Sequence, residues 1–180
     1  MTIKTSKITL IGIYIAIALV LNIFENFLPT RVLIPGAKLG LANIITMISL
    51  MTLSKKETLV VIVIRVTLGS IFGGGLSGFL YSFSGAVISF SFMILVIMIF
   101  KNRISLIGIS VTGAFFHGVG QVLMAAIIIQ NTRIFVYLPT LLLASIATGI
   151  FIGYVSIFFL NRLKYIENIS IYSKYYDVYF

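Results

Sequence analysis

Six apolar stretches fill most of this chain, and the basic residues between them fall almost entirely on alternate connections. The stretches run Ile8–Leu28, Leu39–Leu53, Glu57–Phe72, Leu76–Phe100, Ile104–Gln130 and Ile134–Leu160. Nothing else constrains the fold as strongly. About 20 apolar residues in a helix cross the hydrocarbon of a bilayer, and backbone groups inside lipid must find their partners within the protein. The pattern therefore predicts an all-α integral membrane protein, a bundle of six transmembrane helices over residues 1–164. Residues 165–180 form a separate aromatic tail at the cytoplasmic side. Composition agrees, since 60% of the 180 residues are hydrophobic and only 9% charged, against about 25% charged in soluble domains.

The connections give the orientation. One side carries Lys4, Lys7, Lys55, Lys56, Lys101, Arg103, Arg162, Lys164 and Lys174; the other carries Arg31, Lys38 and Arg133. Basic residues in short loops stay in the cytoplasm, so both termini are expected there, in a multi-pass protein of a bacterial plasma membrane. The first stretch has no small-x-small cleavage site near its end and is expected to remain as a span. The formal charge of +9 is scattered over helix ends rather than gathered on one face, which argues against a nucleic-acid partner and for membrane lipid.

With no cysteine, one histidine and four acidic residues, the chain offers no disulfide framework and little for a metal site. No cofactor is expected. The run Gly73-Gly74-Gly75-Leu76-Ser77-Gly78 has the spacing of a dinucleotide fingerprint, but it joins two apolar stretches instead of following a strand. It reads as a tight turn.

The informative residues are polar ones inside the spans, where an ionisable group costs roughly 2.5–3.5 kcal/mol to insert and faces a cavity or a partner. Arg65 lies eight residues into the third stretch, about 12 Å from its cytoplasmic start. His117 lies roughly 20 Å into the fifth, with Gln121 one turn further and Gly113 one turn before it, all on one face. Glu25 and Asn22 stand near the outer end of the first stretch. All fall in the middle or outer part of the membrane, which places a ligand site open to the outside. Arg65 serves either as the buried partner of Glu25 or as a contact to an anionic substrate; an arginine fork can do both. Arg31, Lys38 and Arg133 bias the outer field towards an anion.

The connection Pro29–Lys38 is too rigid to continue a helix and long enough to fold back as a lid over the site. Lys38 and Asn43, flanking the start of the second stretch, join the candidates for the pocket. Phe79, Tyr81, Phe115 and Phe116 supply an apolar wall or simple packing. Gly12 and Ala16 form a small-x-x-x-small pair, suited to packing within the bundle or to docking a partner membrane protein.

The segments Pro35–Asn43, Arg65-Val66-Thr67-Leu68-Gly69-Ser70, Phe79-Leu80-Tyr81-Ser82 with Gly85, Gly113-Ala114 with His117 and Gly120-Gln121, and Tyr137-Leu138-Pro139 together resemble the heptaprenyl diphosphate synthase component I family, also called the Gx transporter family. The resemblance covers roughly Ile8 to Leu160. That family is in turn similar to the substrate-binding S components of energy-coupling factor (ECF) transporters. The likeness implies a six-helix membrane subunit that captures a small molecule from outside, with a transmembrane coupling protein and cytoplasmic ATPases as partners. Gly12 and Ala16 stand where those subunits carry docking alanines, with glycine replacing one of them.

The family name implies a different role, in making long prenyl diphosphates. Prenyl chain elongation needs aspartate-rich clusters that hold Mg²⁺, and Asp177 is the only aspartate here. There is no Walker motif either. The chain is expected not to be an enzyme, and at most a noncatalytic partner of a soluble prenyl synthase.

Overall fold

The computed structural model describes residues 3–27 and 40–164, with backbone alone at 3–6, 26, 27, 73, 74, 102 and 164. The Pro29–Lys38 connection, with Arg31 and Lys38, and the 165–180 tail lie outside the described residues. The elements are helical throughout: α1 (Ile3–Phe27), α2 (Asn43–Thr52), α3 (Lys55–Gly69), a π-helical turn Ser70–Gly74, α4 (Gly75–Phe100), a 3-10 turn Lys101–Arg103, α5 (Leu106–Ile129), a 3-10 segment Thr132–Tyr137, and α6 (Leu138–Lys164).

Among the described residues, four segments are long and apolar enough to cross a membrane: Lys7–Glu25, Gly75–Phe100, Leu106–Ile129 and Thr132–Leu163. The second expected span is much shorter than its apolar run. The 10 residues of α2 rise only about 15 Å, half the hydrocarbon thickness. Gly40 sets its start, because φ of +80° there is left-handed backbone that cannot belong to a right-handed helix. The 15 residues of α3 cover about 22 Å before the π turn. The two shortest stretches of the sequence thus become the two shortest α-helices, and the described residues form six α-helices of two kinds.

The short helix sits at the centre. Every residue of α2 is buried, and it packs against α1, α3 and α6. Its hydroxyls are consequently satisfied inside the protein, as buried polar groups must be. Ser49 donates to the Ile45 carbonyl at 2.6 Å and Thr52 to the Ile48 carbonyl at 2.8 Å. Tyr14 of α1 and Thr52 share a hydrogen bond of 2.9 Å. From α3, Thr58 donates to the Ser49 carbonyl at 3.0 Å.

Leu53 and Ser54 alone join α2 to α3. Ser54 caps α3 in a reciprocal box with Glu57: the Ser54 side chain accepts the Glu57 N–H, and Glu57 accepts the Ser54 N–H at 2.9 Å. Such boxes pair two otherwise orphaned donors at a helix start. Lys7 of α1 reaches the same carboxylate at 3.2 Å, fixing the end of the bundle opposite Glu25.

The long helices α4, α5 and α6 pack side by side through small residues that bring backbones together. A Cβ on Gly120 would stand 2.9 Å from the Gly85 Cα, and one on Gly149 would stand 2.7 Å from the Val111 Cα. Serines cross these contacts: Ser84 donates to the Gly120 carbonyl at 3.0 Å and Ser110 to the Gly149 carbonyl at 2.8 Å. The glycine-rich run starts in the π turn and bends at Gly75, where φ is +58°. It enters α4 with no strand before it, as its reading as a turn requires. Outward faces carry large apolar side chains such as Val20, Leu76, Phe151 and Leu143, suited to lipid.

Candidate functional site

Three of the expected polar residues lie on different helices and converge with the start of α2. Gly40 donates its N–H to the Glu25 carboxylate of α1, and the Gly40 carbonyl accepts from the Asn43 N–H at 2.8 Å. The left-handed Gly40 thus turns the chain into α2 and presents the helix start, the positive end of its dipole, beside an acid. One helical turn along α2, Asn43 and Thr46 face α3. There the Arg65 Nη2 donates to Asn43 Oδ1 at 3.0 Å and to Thr46 Oγ1 at 3.1 Å.

Arg65 and Glu25 are both almost wholly buried, 4% and 3% exposed. The Glu25 charge acts on the guanidinium through space, but the hydrogen bonds of Arg65 go to α2. Of the two roles open to Arg65, pairing with Glu25 takes a bridged form, in which Gly40 and Asn43 lie between acid and base. Asn22, one turn before Glu25, packs on α3 at Gly69, where a Cβ would stand 3.1 Å from its amide nitrogen.

His117 closes the other side. Its ring lies against Gly40, where a Cβ would be 3.7 Å from His117 Cδ2, and against Gly85 of α4. Gln121 is buried one turn further along α5. Neither atom of its side-chain amide has a hydrogen-bond partner among the described residues, and neither does Arg65 Nε. An unpaired buried polar group costs roughly 1–3 kcal/mol. These are valences that a ligand would satisfy.

Residues 14–159 match the sequence pattern of a known family, described as heptaprenyl diphosphate synthase component I. The chain belongs to that family. Neither a curated protein nor a solved structure matches it. The segment shared with the heptaprenyl diphosphate synthase component I family includes every described member of the cluster, from Glu25 to Gln121.

Other expected site residues are placed differently. Tyr81 is half-buried on α4, one turn before Gly85, and its hydroxyl forms no hydrogen bond to the cluster among the described residues. Arg133, the described basic residue of the α5–α6 connection, lines an open groove of about 480 Å³ with Ile129, Asn131, Ile134, Val136 and Tyr137. It stands apart from Arg65. Phe116 of α5 stacks on Phe92 of α4 with centroids 3.5 Å apart, which packs the two helices together, and Phe79 stacks on Phe83 within α4 at 5.4 Å. Gly12 and Ala16 are exposed, and nothing approaches a Cβ at Gly12 within 4 Å. This face of α1 is not used in packing the bundle.

Thr46 and Gly85 join the site without having been singled out for it, whereas Gly40 lies between Lys38 and Asn43, in the run expected at the pocket. Thr46 was within reach of the sequence, since it follows Asn43 by three and shares its helix face. The part of Gly85 was not, because it lies in what His117 packs against. No group of three or more metal-ligating side chains occurs among the described residues.

Proposed function

We propose that this chain is a noncatalytic membrane component of a heptaprenyl diphosphate synthase system, holding a small polar or amphiphilic molecule of isoprenoid or quinone-precursor type at the Arg65 cluster. The family match over residues 14–159 carries this reading. The unpaired Arg65 Nε and Gln121 amide support binding as the role of the cluster. The noncatalytic part rests on the acidic residues: Glu25, Glu57, Glu167 and Asp177 are too few and too dispersed for the carboxylate clusters that hold Mg²⁺ and diphosphate. A soluble prenyl synthase would supply the chemistry.

A second reading is favoured by a different observation. The exposed Gly12 and Ala16 face, together with a buried cluster at the end of the bundle away from the Lys7–Glu57 pair, suits the substrate-binding subunit of an energy-coupling factor importer. Such a subunit takes its ligand from outside, with both termini in the cytoplasm, and releases it after docking on a coupling protein driven by ATPases.

One experiment tests both. Purified protein and an Arg65→Ala variant are compared by native mass spectrometry for a copurifying small molecule, and tagged protein is tested for capture of a soluble prenyl synthase or of a coupling protein with ATPases. A bound mass lost in the variant supports the binding role, and the captured partner decides between the two systems. Protein that carries no small molecule and captures neither partner refutes both.

A further inference from the structure

We infer that the groove at Arg133 is a seat for an anionic phospholipid of the surrounding membrane, with the lipid phosphate on the guanidinium and an acyl chain on the apolar wall. The site is separate from the Arg65 cluster and does not depend on the function proposed for it.

Position is the first argument. Lys55 of α3 reaches Met98 near the end of α4, Nζ to Sδ at 3.8 Å, so α5 starts at the end of the bundle marked by Lys7 and Glu57. Its 24 residues rise about 36 Å, more than the roughly 30 Å of hydrocarbon in a bilayer. Gln130 then turns the chain with φ of +53°. Counting back along α6 from Arg162 to Leu138 again gives about 36 Å. Both helices therefore carry the segment Thr132–Tyr137 out to the level of the lipid head groups, at the surface away from Lys7 and Glu57.

Charge is the second argument. The groove, of about 480 Å³, is lined by Ile129, Asn131, Arg133, Ile134, Val136 and Tyr137, with no acidic side chain among them. Of the acids of the chain, Glu25 is buried against Gly40 and Glu57 is paired with Lys7. Glu167 and Asp177 come after Lys164, which α6 sets about 40 Å from Leu138. The connection 28–39 brings Arg31 and Lys38 and no acid. A guanidinium holds phosphate through two parallel hydrogen bonds. Asn131 Oδ1 accepts the Arg133 N–H at 2.9 Å, which leaves the amide nitrogen to donate as well.

The walls decide which phosphate. Ile129, Ile134 and Val136 are apolar, and Ile127 and Ile129 of α5 are exposed on the way down into the hydrocarbon, a path for an acyl chain. Tyr137 sets an amphipathic ring at the interface, where such rings favour lipid. A free inorganic anion gains nothing from these walls. A zwitterionic lipid brings an ammonium for which the groove has no carboxylate.

The test titrates the delipidated full chain in nonionic detergent with dioleoyl phosphatidylglycerol, dioleoyl phosphatidylethanolamine or inorganic phosphate, read by native mass spectrometry. Phosphatidylglycerol should bind about fivefold more tightly than phosphatidylethanolamine. Arg133→Gln should weaken it by about tenfold, and Val136→Gln should weaken it too, while Lys101→Gln, at the other surface, should not. Arg133 and Val136 are exposed, so the melting temperature without lipid should be unchanged in both variants. The inference is overturned if neither groove variant weakens phosphatidylglycerol or if Lys101→Gln weakens it as much. Equal binding of the two lipids, or displacement of phosphatidylglycerol by millimolar inorganic phosphate, overturns it as well.

Discussion

The His117 imidazole fills the notch left by Gly85: a Cβ on that glycine would lie 3.0 Å from both Nδ1 and Cε1 of the ring. The missing side chain on α4 thus sets the position of a polar side chain on α5, one turn from the unpaired Gln121.

Two alanine substitutions separate this role from simple packing. In Gly85→Ala the added methyl meets the ring and, equally at 3.0 Å, the His117 carbonyl oxygen, so α5 must shift with the imidazole, and retention of a copurifying ligand should fall about tenfold alongside a loss of stability. In Gly120→Ala the methyl meets the Gly85 Cα at 2.9 Å and the Ser84 carbonyl at 3.0 Å. Backbone cannot step aside as a side chain can, and overpacking of this kind costs about 1–3 kcal/mol. Thermal melting beside native mass spectrometry should show the larger melting change in Gly120→Ala.

Arg65 should be the most sensitive polar position. Its removal strips Asn43 and Thr46 of their shared donor and takes away a positive charge that acts on Glu25. Breaking such a buried arrangement costs about 3–5 kcal/mol. Arg65→Lys should rescue only partly, since an ammonium lacks the planar fork. Thr46→Val removes one acceptor and should cost about 1 kcal/mol. Equal melting temperatures for Arg65→Ala and Thr46→Val would refute the ranking.

The absence of cysteine makes orientation easy to test. The orientation read from the basic residues predicts that a single cysteine at Asn131 reacts with an impermeant maleimide added to intact cells, while cysteines at Lys55 or Lys101 react only after lysis. The reverse labelling pattern would invert the assignment.

At the end marked by Glu57, Ser54→Ala removes the capping hydroxyl of α3 and should lower stability by about 1 kcal/mol. Lys7→Ala breaks an ion pair whose side chains are 27% and 26% exposed. Such pairs are worth between zero and about 1 kcal/mol and are screened by salt. Chemical denaturation at low and high salt should show a salt-dependent difference for Lys7→Ala and none for Ser54→Ala.

The long helices were legible because an apolar run bounded by charges leaves little choice. The fourth stretch, Leu76–Phe100, and α4 differ by one residue. The second stretch misled because hydropathy counts Leu39, Leu41 and Ala42 as span, whereas the helix waits for the turn at Gly40. The last helix begins at Leu138 rather than Ile134, since the chain is a 3-10 segment up to Tyr137 and Pro139 suits a first turn. Depth grouped Arg65, His117, Gln121, Glu25 and Asn22, and Asn43 entered from its place at the start of the second stretch; the structure gathers Arg65, Asn43, Glu25 and His117 around the start of α2. Depth could not show that Asn43 and Thr46, rather than Glu25, take the arginine's hydrogen bonds, because that depends on how α2 lies between α1 and α3.

The shortness of α2 bears on how the chain is made. A segment that cannot reach across the bilayer has no stable resting place on leaving the insertion machinery, and the two-residue link to α3 means the pair enters as a hairpin. In such a hairpin Arg65 of α3 donates to Asn43 and Thr46 of α2, so the two helices turn their polar side chains towards each other. The contacts that complete the site thus also keep its polar groups away from the membrane.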